Sequence, residues 1–589
     1  MKNLSRASTR WLDAFAFFAA IAFVFTAAAE DRIALTVEHP PQDGLVMARV
    51  DLAAAAQYCK ITVAADRLRV WQMPGKKQLP AQFVPDEGAP ASGTLLFRCD
   101  PAPPPVRVWL DFTAAPEAQP PSSTTVTTRW YTVKHDPARM GGLPSEIIFA
   151  GTGGKFDSLY WSDRLFHRQD GLFWLRYDRQ PQVRCVSSGP LCTVVRVAAA
   201  HSQPDGKRPE SQPAAVYDWY YFADSPLIHV RGAVRQREAR TWHEAHFLEL
   251  GFPTNRFPRW AGGEPRQEGD FRGNDASHRL NRWGAVMEGR EVIGMFDAGP
   301  VNIHDGRGYG RYLHAQTDAA WQEWKTTTFE RSAWLRIAAD DAPAQALAAL
   351  SASVPPTAEV SVSIERLQLR LDALRAQIAQ ADSPARRALG WQLVLARLGE
   401  KHHRFREALE LPPGQLPEGW SVIPAGDLRL VLERRSDGLA LLDLADAASG
   451  RLMAGPDALP LFEVTLRNAT NREEIRLAAD RDWSEVTMDK APGEDAFTLQ
   501  WQKPRNAALS ALVVKAHLRA DASRHRLSWS LEAQGQTQPW SLWQVRFPQL
   551  SLAVGSAQSQ LLLPQAAGVL RSVGREPLPP FHGDYPSGW

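Results

Sequence analysis

Two short stretches of the sequence carry side chains that could do chemistry. The first reads Trp242-His243-Glu244-Ala245-His246. In a β-strand, alternation would place Trp242, Glu244 and His246 on one face, where a carboxylate and an imidazole could share a proton, hold sugar hydroxyls or bind a metal. The same residues also suit the solvated face of a sheet. Because zinc takes three or four protein ligands, a pair of ligands predicts no metal site, and we expect no cofactor.

The second stretch is a glycine-rich loop, Asn302-Ile-His-Asp-Gly-Arg-Gly-Tyr-Gly-Arg311. It presents His304, Asp305, Tyr309 and Arg311, the polar and aromatic side chains that commonly form the rim of a glycan-binding cleft. An imidazole or phenol beside an arginine would also suit proton abstraction next to a uronate carboxylate. A flexible hairpin tip has the same composition, so both interpretations stay open.

Tryptophan is abundant, with 21 residues. A flat indole ring can stack on the C–H face of a sugar, although core packing accounts for most tryptophans in β proteins. Trp260 and Trp324 each lie close to a glutamate in the sequence and are the further candidates for sugar stacking, with core or rim packing as the alternative.

The composition excludes some classes of function. The 589 residues include 67 basic and 65 acidic side chains, for a net charge of +2, so nothing indicates a nucleic-acid partner. The stretch Gly151-Thr-Gly-Gly-Lys155 lacks the Gly-Lys-Ser/Thr ending of a phosphate-binding loop. A polysaccharide or oligosaccharide is the expected partner.

The N-terminus has the pattern of a secretory signal. Lys2, Arg6 and Arg10 precede an apolar run over residues 14–25, and an Ala-rich segment ends at Ala29. We expect cleavage after Ala29 and a secreted or periplasmic protein, with no membrane contact beyond this segment; a retained anchor is the alternative. For such a compartment the four cysteines predict two structural disulfides, Cys185 with Cys192 and Cys59 with Cys99.

Periodicity predicts a mainly β protein of tandem antiparallel sandwiches. Short alternating runs separated by Pro and Gly indicate a small immunoglobulin-like sandwich over residues 30–122 and a large one over 123–342. Leucines at helical spacing predict a helical hairpin over 343–413, with Ser363 and Ser383 as N-caps. A second sandwich over 414–589 contains an Asp437-Gly438 hairpin signal.

Two sets of residues resemble carbohydrate-active enzymes. Gly141-Gly-Leu143, Trp161-Ser-Asp-Arg164 and Gly189-Pro190 resemble the galactose-mutarotase-like sandwich of several polysaccharide lyases and glycosidases. Trp543-Gln-Val-Arg-Phe-Pro-Gln-Leu550, followed by Tyr585-Pro-Ser-Gly-Trp589, is similar to bacterial glycoside hydrolases in which a sandwich precedes a TIM barrel. The resemblance implies a mutarotase-like large sandwich and a catalytic barrel following Trp589, so it assigns no catalytic residue to this chain.

Three functions are therefore expected, in order. The first is the scaffold and glycan-binding portion of a glycoside hydrolase. The second is a self-sufficient polysaccharide lyase that uses the cleft of the large sandwich, with the 302–311 loop facing Glu244 and His246. The third is a structural or adhesive β protein. Whether the chain is itself an enzyme depends on which of these holds.

Overall fold

The computed structural model describes residues 31–572 except residues 42, 115–122, 308–309, 319–321, 324–326, 352–357, 413, 456–458, 493–494, 536–537, 553–559 and 564–568. The described chain is mainly β and is built from antiparallel sheets with few helices, which confirms the predicted fold class. It divides into two compact units, Ile33–Val362 and the residues from Ser363 onward together with residues 31–32. The predicted signal segment and the 581–589 terminus lie outside the described residues.

The first unit begins with two small sheets. One joins strands Ile33–Val37, Val106–Asp111, Arg69–Gln72 and Lys77–Leu79, and the other joins Leu45–Asp51, Ala89–Arg98 and Ala81–Asp86. A helix, Ala53–Cys59, and a short 3₁₀ turn, Ala65–Arg67, lie between the strands. In Val106–Asp111 every second side chain is buried, the alternation expected of a strand that covers a core with one face.

The larger part of this unit is the large sandwich, which is made from one large and one small sheet. The small sheet runs in the order Lys155–Phe156, Pro144–Phe149, Tyr131–His135 and Thr125–Thr127. The main path of the large sheet runs in the order Gly171–Trp174, Arg164–His167, Glu244–Phe252, Arg311–Asp318, Glu291–Asp305, Thr328–Ala339, Leu227–Arg235, Ala214–Phe222, Cys192–Ala200 and Gln182–Ser188.

Further strands branch from the large sheet or lie beside it. They are Tyr160–Trp161, Arg259–Gly262, Gln267–Asp270 and Ala276–Glu288, together with the separate pair Thr241–Trp242 and Gln322–Glu323. The 3₁₀ turns Met140–Gly142 and Leu175–Tyr177 and the helix Pro343–Ser351 complete the region. The strand Val360–Ile364 instead joins the first small sheet, next to Ile33–Val37.

Aromatic side chains fill the space between the two sheets. Trp161 and Trp219 meet edge to face with ring centroids 5.4 Å apart, and the Trp161 indole nitrogen donates to the Pro144 carbonyl at 2.8 Å. Both indoles are at most 2% exposed. Trp161 and Trp219 therefore pack in the core, which is a more common role for tryptophan in β proteins than sugar stacking.

The second unit opens with helices Glu365–Gln380, Ser383–Lys401 and Phe405–Glu410. Leu367, Leu371 and Leu374 are buried along one stripe of the first helix, as their spacing predicts. The N-caps are one residue away from those predicted. Ile364 precedes the first helix without a side-chain cap, and Asp382 caps the second by accepting from the Ala385 amide.

Three sheets and a hairpin follow. Their strands are Trp420–Ala425, Leu428–Arg435, Gly438–Asp446 and Arg451–Leu452; Glu474–Ala478, Glu463–Asn468 and Trp540–Arg546; Trp483–Lys490, Ala496–Pro504, Val513–Asp521 and Arg526–Gln534; and Gln560–Leu563 with Val569–Ser572. A 3₁₀ turn spans Ala507–Leu509. The predicted hairpin is present: Arg435 pairs with Gly438. Glycine is required there because a Cβ would lie 2.5 Å from the Ala479 carbonyl oxygen.

The disulfide prediction is wrong. All four cysteines are described, and no disulfide joins them. Cys185 lies opposite Val195 in its hairpin, past a register shift, and its thiol donates to the Ser187 carbonyl at 3.4 Å. The Cys99 thiol donates to the Gly44 carbonyl at 3.3 Å. Within the described residues, no helix has the length and apolar character needed to cross a membrane.

Candidate functional site

A cleft of about 800 Å³ opens on the large sheet, on the face opposite its core. Its lining combines aromatic, basic and acidic side chains. They are Tyr160, Phe166, Trp174 and Tyr312; Arg164, Arg176, His246, His304 and His314; and Glu244 and Glu249, with Ser162, Leu172 and Ser277 between them. Such a mixture suits a polar ligand with flat apolar faces.

Strand alternation supplies part of this lining. In Arg311–Asp318, Tyr312 and His314 face the cleft while Leu313 and Ala315 pack in the core. The neighbouring strand Glu291–Asp305 brings His304 opposite Tyr312. Their rings stack with centroids 5.8 Å apart, and His304 Nδ1 lies 2.8 Å from the Ser277 hydroxyl oxygen.

A break in alternation brings Glu249 to the same side as His246. Leu248 has a positive φ of 52°. Phe247, Leu248 and Leu250 all belong to the core, so the residue that faces the cleft after His246 is Glu249 and not Leu248. A non-glycine residue in this left-handed conformation costs roughly 1–2 kcal/mol, so the surrounding structure must compensate for it.

The buried carboxylate of Asp163 provides this compensation. It accepts the backbone N–H groups of Leu248 and Glu249 at 2.8 and 3.0 Å, and the Tyr217 hydroxyl donates to it at 2.7 Å. Burial raises the pKa of Asp163 to about 6, even though these hydrogen bonds favour the ionised form. Asp163 therefore holds the backbone that positions Glu249.

Glu249 is the centre of an ionic network on the cleft floor. Arg164 donates to Glu249 Oε1 at 2.5 Å, and His246 Nδ1 donates to Glu249 Oε2. Glu244 Oε2 lies 3.3 Å from the other nitrogen of His246 and 3.5 Å from Arg164. Burial alone would raise the pKa of Glu249, but the His246 hydrogen bond and the His246 and Arg164 charges outweigh it and lower that pKa to about 2.

His314 lies directly across the strand pair from Glu249. The residue is 8% exposed, and its Nδ1 has no hydrogen-bond partner although it lies 4.0 Å from Glu249 Oε2. Its ring stacks parallel to that of His246 with centroids 5.7 Å apart. Burial lowers the pKa of His314 to about 4, so the imidazole is neutral at physiological pH.

Arg176 occupies the wall of the cleft. Its guanidinium carbon lies 5.4 Å from the ring centroid of Tyr160, 5.6 Å from that of Trp174 and 5.0 Å from that of Tyr177, and one nitrogen donates to the Tyr177 hydroxyl at 3.2 Å. Arg176 forms no ion pair with a carboxylate among the described residues, and its Nε is buried without a hydrogen-bond partner. The Arg176 guanidinium is therefore a cation held in place by aromatic rings, with N–H donors available to a ligand.

The structure brings only part of the predicted site together. Glu244, His246 and His304 line the cleft. Trp242 is fully buried beside Phe173, because the chain bends at His243 between two strands and the expected alternation is lost. Trp260 is 6% exposed and stacks on His278 at 4.0 Å, away from the cleft lining.

The remaining predicted residues do not face the cleft or are not described. Asp305 is buried and accepts the backbone N–H groups of Arg272 and Gly273. Arg311 lies 3.4 Å from Asp305 and donates to the Thr254 carbonyl, so both side chains order loops. Tyr309 and Trp324 lie outside the described residues.

Sequence reasoning missed Glu249, His314 and Arg176. Arg164 entered only as part of Trp161-Ser-Asp-Arg164, a segment that resembles the galactose-mutarotase-like sandwich. Glu249 depends on the left-handed Leu248, and His314 comes from a strand distant in the sequence. A weak signal was present in the run Phe173-Trp-Leu-Arg-Tyr177, where an arginine stands among aromatic residues in a strand-like segment.

Comparisons with known proteins give no family assignment. No protein-family model matches the chain, and no curated protein sequence matches it. Solved structures that resemble it include an α-mannosidase from Enterococcus faecalis V583, with 9% identity, coverage of 78% of this chain and 55% of that one, and a TM-score of 0.36. The chain thus spans about half the length of that enzyme.

Two further structures match shorter parts. A galactose mutarotase related enzyme from Lactobacillus acidophilus has 10% identity, covers 37% of this chain and 98% of that one, and has a TM-score of 0.26. An α-N-acetylgalactosaminidase from Bifidobacterium bifidum has 11% identity, covers 43% of this chain and 41% of that one, and has a TM-score of 0.28. With every one of these TM-scores below 0.5, the assignment of function rests on the residues of the cleft.

Proposed function

We propose that this chain is a carbohydrate-active protein whose large-sandwich cleft binds an acidic polysaccharide. The single observation that carries the proposal is Arg176, a cation without an ion-pair partner among the described residues, held between aromatic rings in the cleft wall. A guanidinium fork matches a carboxylate geometrically, and uronic acids are the sugars that carry one.

The aromatic walls fit the rest of a sugar. Tyr160, Trp174 and Tyr312 line the cleft and offer flat faces beside polar groups. Sugar rings have an apolar C–H face and polar edges, so they can stack on such rings while their hydroxyls reach the histidines and glutamates of the floor. A ligand that is both flat and anionic uses the wall and Arg176 together.

Both carbohydrate interpretations of the sequence use this cleft. They differ in whether the chain only binds the glycan, as the non-catalytic portion of a glycoside hydrolase, or also cleaves it as a lyase. The stacked His304 and Tyr312 favour the lyase as a second candidate, since they place a possible proton acceptor and donor together in the cleft.

The lyase reaction would be a β-elimination. One group removes the proton on the carbon next to the carboxylate while Arg176 offsets the developing charge. The bond from the adjacent carbon to the glycosidic oxygen breaks, a C=C bond forms, and the departing oxygen takes a proton from the second group. The unsaturated uronide absorbs ultraviolet light, so turnover is measured directly.

Calorimetric titration with polyuronates and with neutral polysaccharides tests the binding proposal. We expect binding of polyuronates only, and Arg176→Gln should weaken it by about 1.5–3 kcal/mol, the contribution of a charge-assisted hydrogen bond. Arg179→Gln is the matched control, because Arg179 is exposed three residues away and donates to a backbone carbonyl. Equal affinity of the two variants would contradict the proposal.

We also propose export of the chain to the periplasm or the medium. The basic, apolar and small-residue order of residues 2–29 supports it. N-terminal sequencing of the mature protein should begin at Glu30, and an intact Met1 on protein isolated from the cytoplasm would contradict export.

A further inference from the structure

The cleft floor contains a cluster of side chains that can do more than contact sugar hydroxyls. His246, Glu249 and His314 each offer one ligand atom, and these three atoms lie within 4.8 Å of one another. His246 Nδ1 contacts Glu249 Oε2, and His314 Nδ1 lies 4.0 Å from the same oxygen. The three residues come from two adjacent strands and present two imidazoles and one carboxylate. This donor set is the one that zinc and neighbouring transition metals prefer.

We propose that His246, Glu249 and His314 bind a divalent transition-metal ion of the zinc class. The observation that separates this cluster from an ordinary ion pair is His314. Its Nδ1 is buried, has no hydrogen-bond partner and faces Glu249 Oε2 at 4.0 Å. An unpartnered polar atom in the interior is costly, and a bound cation satisfies it.

The spacing suits an ion between the three atoms. With metal–ligand bonds of about 2.0–2.2 Å in a tetrahedral site, ligand atoms stand roughly 3.3–3.6 Å apart. The His314–Glu249 separation of 4.0 Å is slightly longer than that, whereas His246 and Glu249 are in hydrogen-bond contact. A bound ion would take the place of the proton that His246 shares with Glu249 and would draw His314 Nδ1 toward the same point.

The residues around the cluster support a metal site. Glu244 Oε2 lies 3.3 Å from His246 Nε2, so the second nitrogen of this ligand has the carboxylate partner that metal-bound histidines usually have. Arg164 holds Glu249 Oε1 at 2.5 Å, which leaves Oε2 as the oxygen available to the metal. Glu244 and Glu249 place two negative charges beside the ion, and Arg164 offsets one of them.

The three ligands leave one coordination position open toward the cleft. Structural zinc sites are filled by four protein ligands, whereas sites that act on a ligand keep a position for water or substrate. A metal bound here would therefore contact whatever occupies the cleft. The inference does not depend on what that ligand is.

Metal binding to the purified chain tests the proposal. After treatment with EDTA and dialysis, titration with zinc chloride should show one equivalent bound, and cobalt(II) should give the intense visible absorption of a tetrahedral site. His314→Gln and Glu249→Gln should each weaken zinc binding by about a hundred-fold or more, since changing even a residue that only hydrogen-bonds to a metal ligand costs about ten- to a hundred-fold.

His278→Gln is the matched control. His278 is a partly exposed histidine of the same sandwich outside the cleft lining, so its replacement should leave zinc affinity unchanged. Because the buried variants could lose the fold, Glu244→Gln provides a milder test at a side chain that is 36% exposed, with about a ten-fold loss expected. Absence of stoichiometric binding, or binding that none of the cluster variants weakens, would overturn the proposal. Glycan affinity of the metal-free protein, measured separately, tests the proposed function independently.

Discussion

The large sandwich and the sheets of the second unit between Trp420 and Arg546, here called the C-terminal sandwich, both have aromatic cores but differ in the ionisable side chains that they bury. In the C-terminal sandwich, Trp483 and Trp501 fill the core and donate their indole N–H groups to the carbonyls of Ala478 and Ala479. The large sandwich also has an aromatic core, but it buries many ionisable residues, whereas Asp443 is the buried carboxylate among the described residues of the C-terminal sandwich. Those of the large sandwich include His135, Asp163, His201, Arg196, Asp218, His229, Glu249 and His314.

This difference indicates that the large sandwich contains the features that lower the stability of the fold. Burying an ionisable group is unfavourable unless it is paired, neutral or hydrogen-bonded. The large sandwich contains a left-handed Leu248 and a buried Glu249, and both lie next to the cleft. Preorganised sites are held in this way by rigid surroundings, which supports the proposal that the large sandwich contains the binding site.

Acid should separate the two regions most strongly. Burial lowers the pKa of His135 to about 4 and those of His201 and His229 to about 3, from an ordinary value of 6.5. The unfolded chain therefore binds protons more readily, and stability falls as the pH drops from 6.5 toward these lower values. At about pH 5 the loss is about 2 kcal/mol for each histidine.

Hydrogen exchange followed by mass spectrometry can measure this prediction for each region. Peptides from the large sandwich should lose protection between pH 7 and 5. The C-terminal sandwich should change less, because His517 and His525 have side chains 44% and 51% exposed. Equal loss of protection in both regions would contradict the assignment of the acid sensitivity to buried histidines.

Removal of a buried carboxylate should have the next largest effect on stability. Asp163→Ala leaves the N–H groups of Leu248 and Glu249 and the Tyr217 hydroxyl without their acceptor, and the expected loss of stability is about 3 kcal/mol. Denaturant unfolding measures it. Glycan affinity should fall as well, since Glu249 is no longer held.

Asp443→Ala is the matched control in the C-terminal sandwich. Asp443 is also fully buried, and it accepts the N–H groups of Met453 and Ala454 and the Lys401 ammonium, each at 2.9 Å. This variant should lose comparable stability and keep its glycan affinity. If both variants lost affinity equally, the link between Asp163 and the cleft would be wrong.

Sequence reasoning reached the fold class and part of the site. Alternation and turn signals identified the sheets, and leucine spacing identified the helices, because these patterns depend on local geometry. Glu244, His246 and His304 were found because they stand in short polar runs. Glu249 was hidden by the left-handed Leu248, and Trp242 was misplaced because the bend at His243 reverses the alternation.

A stacking tryptophan should contribute a smaller effect on binding. Trp174→Ala should weaken acidic-glycan binding by about 1–3 kcal/mol, by analogy with aromatic stacking on flat ligands. Trp543→Ala is the comparison, since Trp543 is 60% exposed on the C-terminal sandwich and should not affect affinity. Calorimetry distinguishes the two, and a larger loss for Trp543 would move the binding surface to the C-terminal sandwich.

Reduction should have the smallest effect. All four cysteines belong to the first unit and none forms a disulfide, so a reductant should not change the melting temperature of either region. Calorimetric scans with and without dithiothreitol test this. Removing a native disulfide typically costs about 2–5 kcal/mol, so a marked drop in the first transition would show that a disulfide is present.

The central claim is that the cleft of the large sandwich holds an acidic sugar against Arg176, and a crystal structure with a bound uronate oligosaccharide tests it most directly. The account predicts a uronate carboxylate within hydrogen-bond distance of the Arg176 guanidinium and a sugar ring stacked on Trp174 or Tyr312. An oligosaccharide bound elsewhere, or one in the cleft whose carboxylate points away from Arg176, would contradict it.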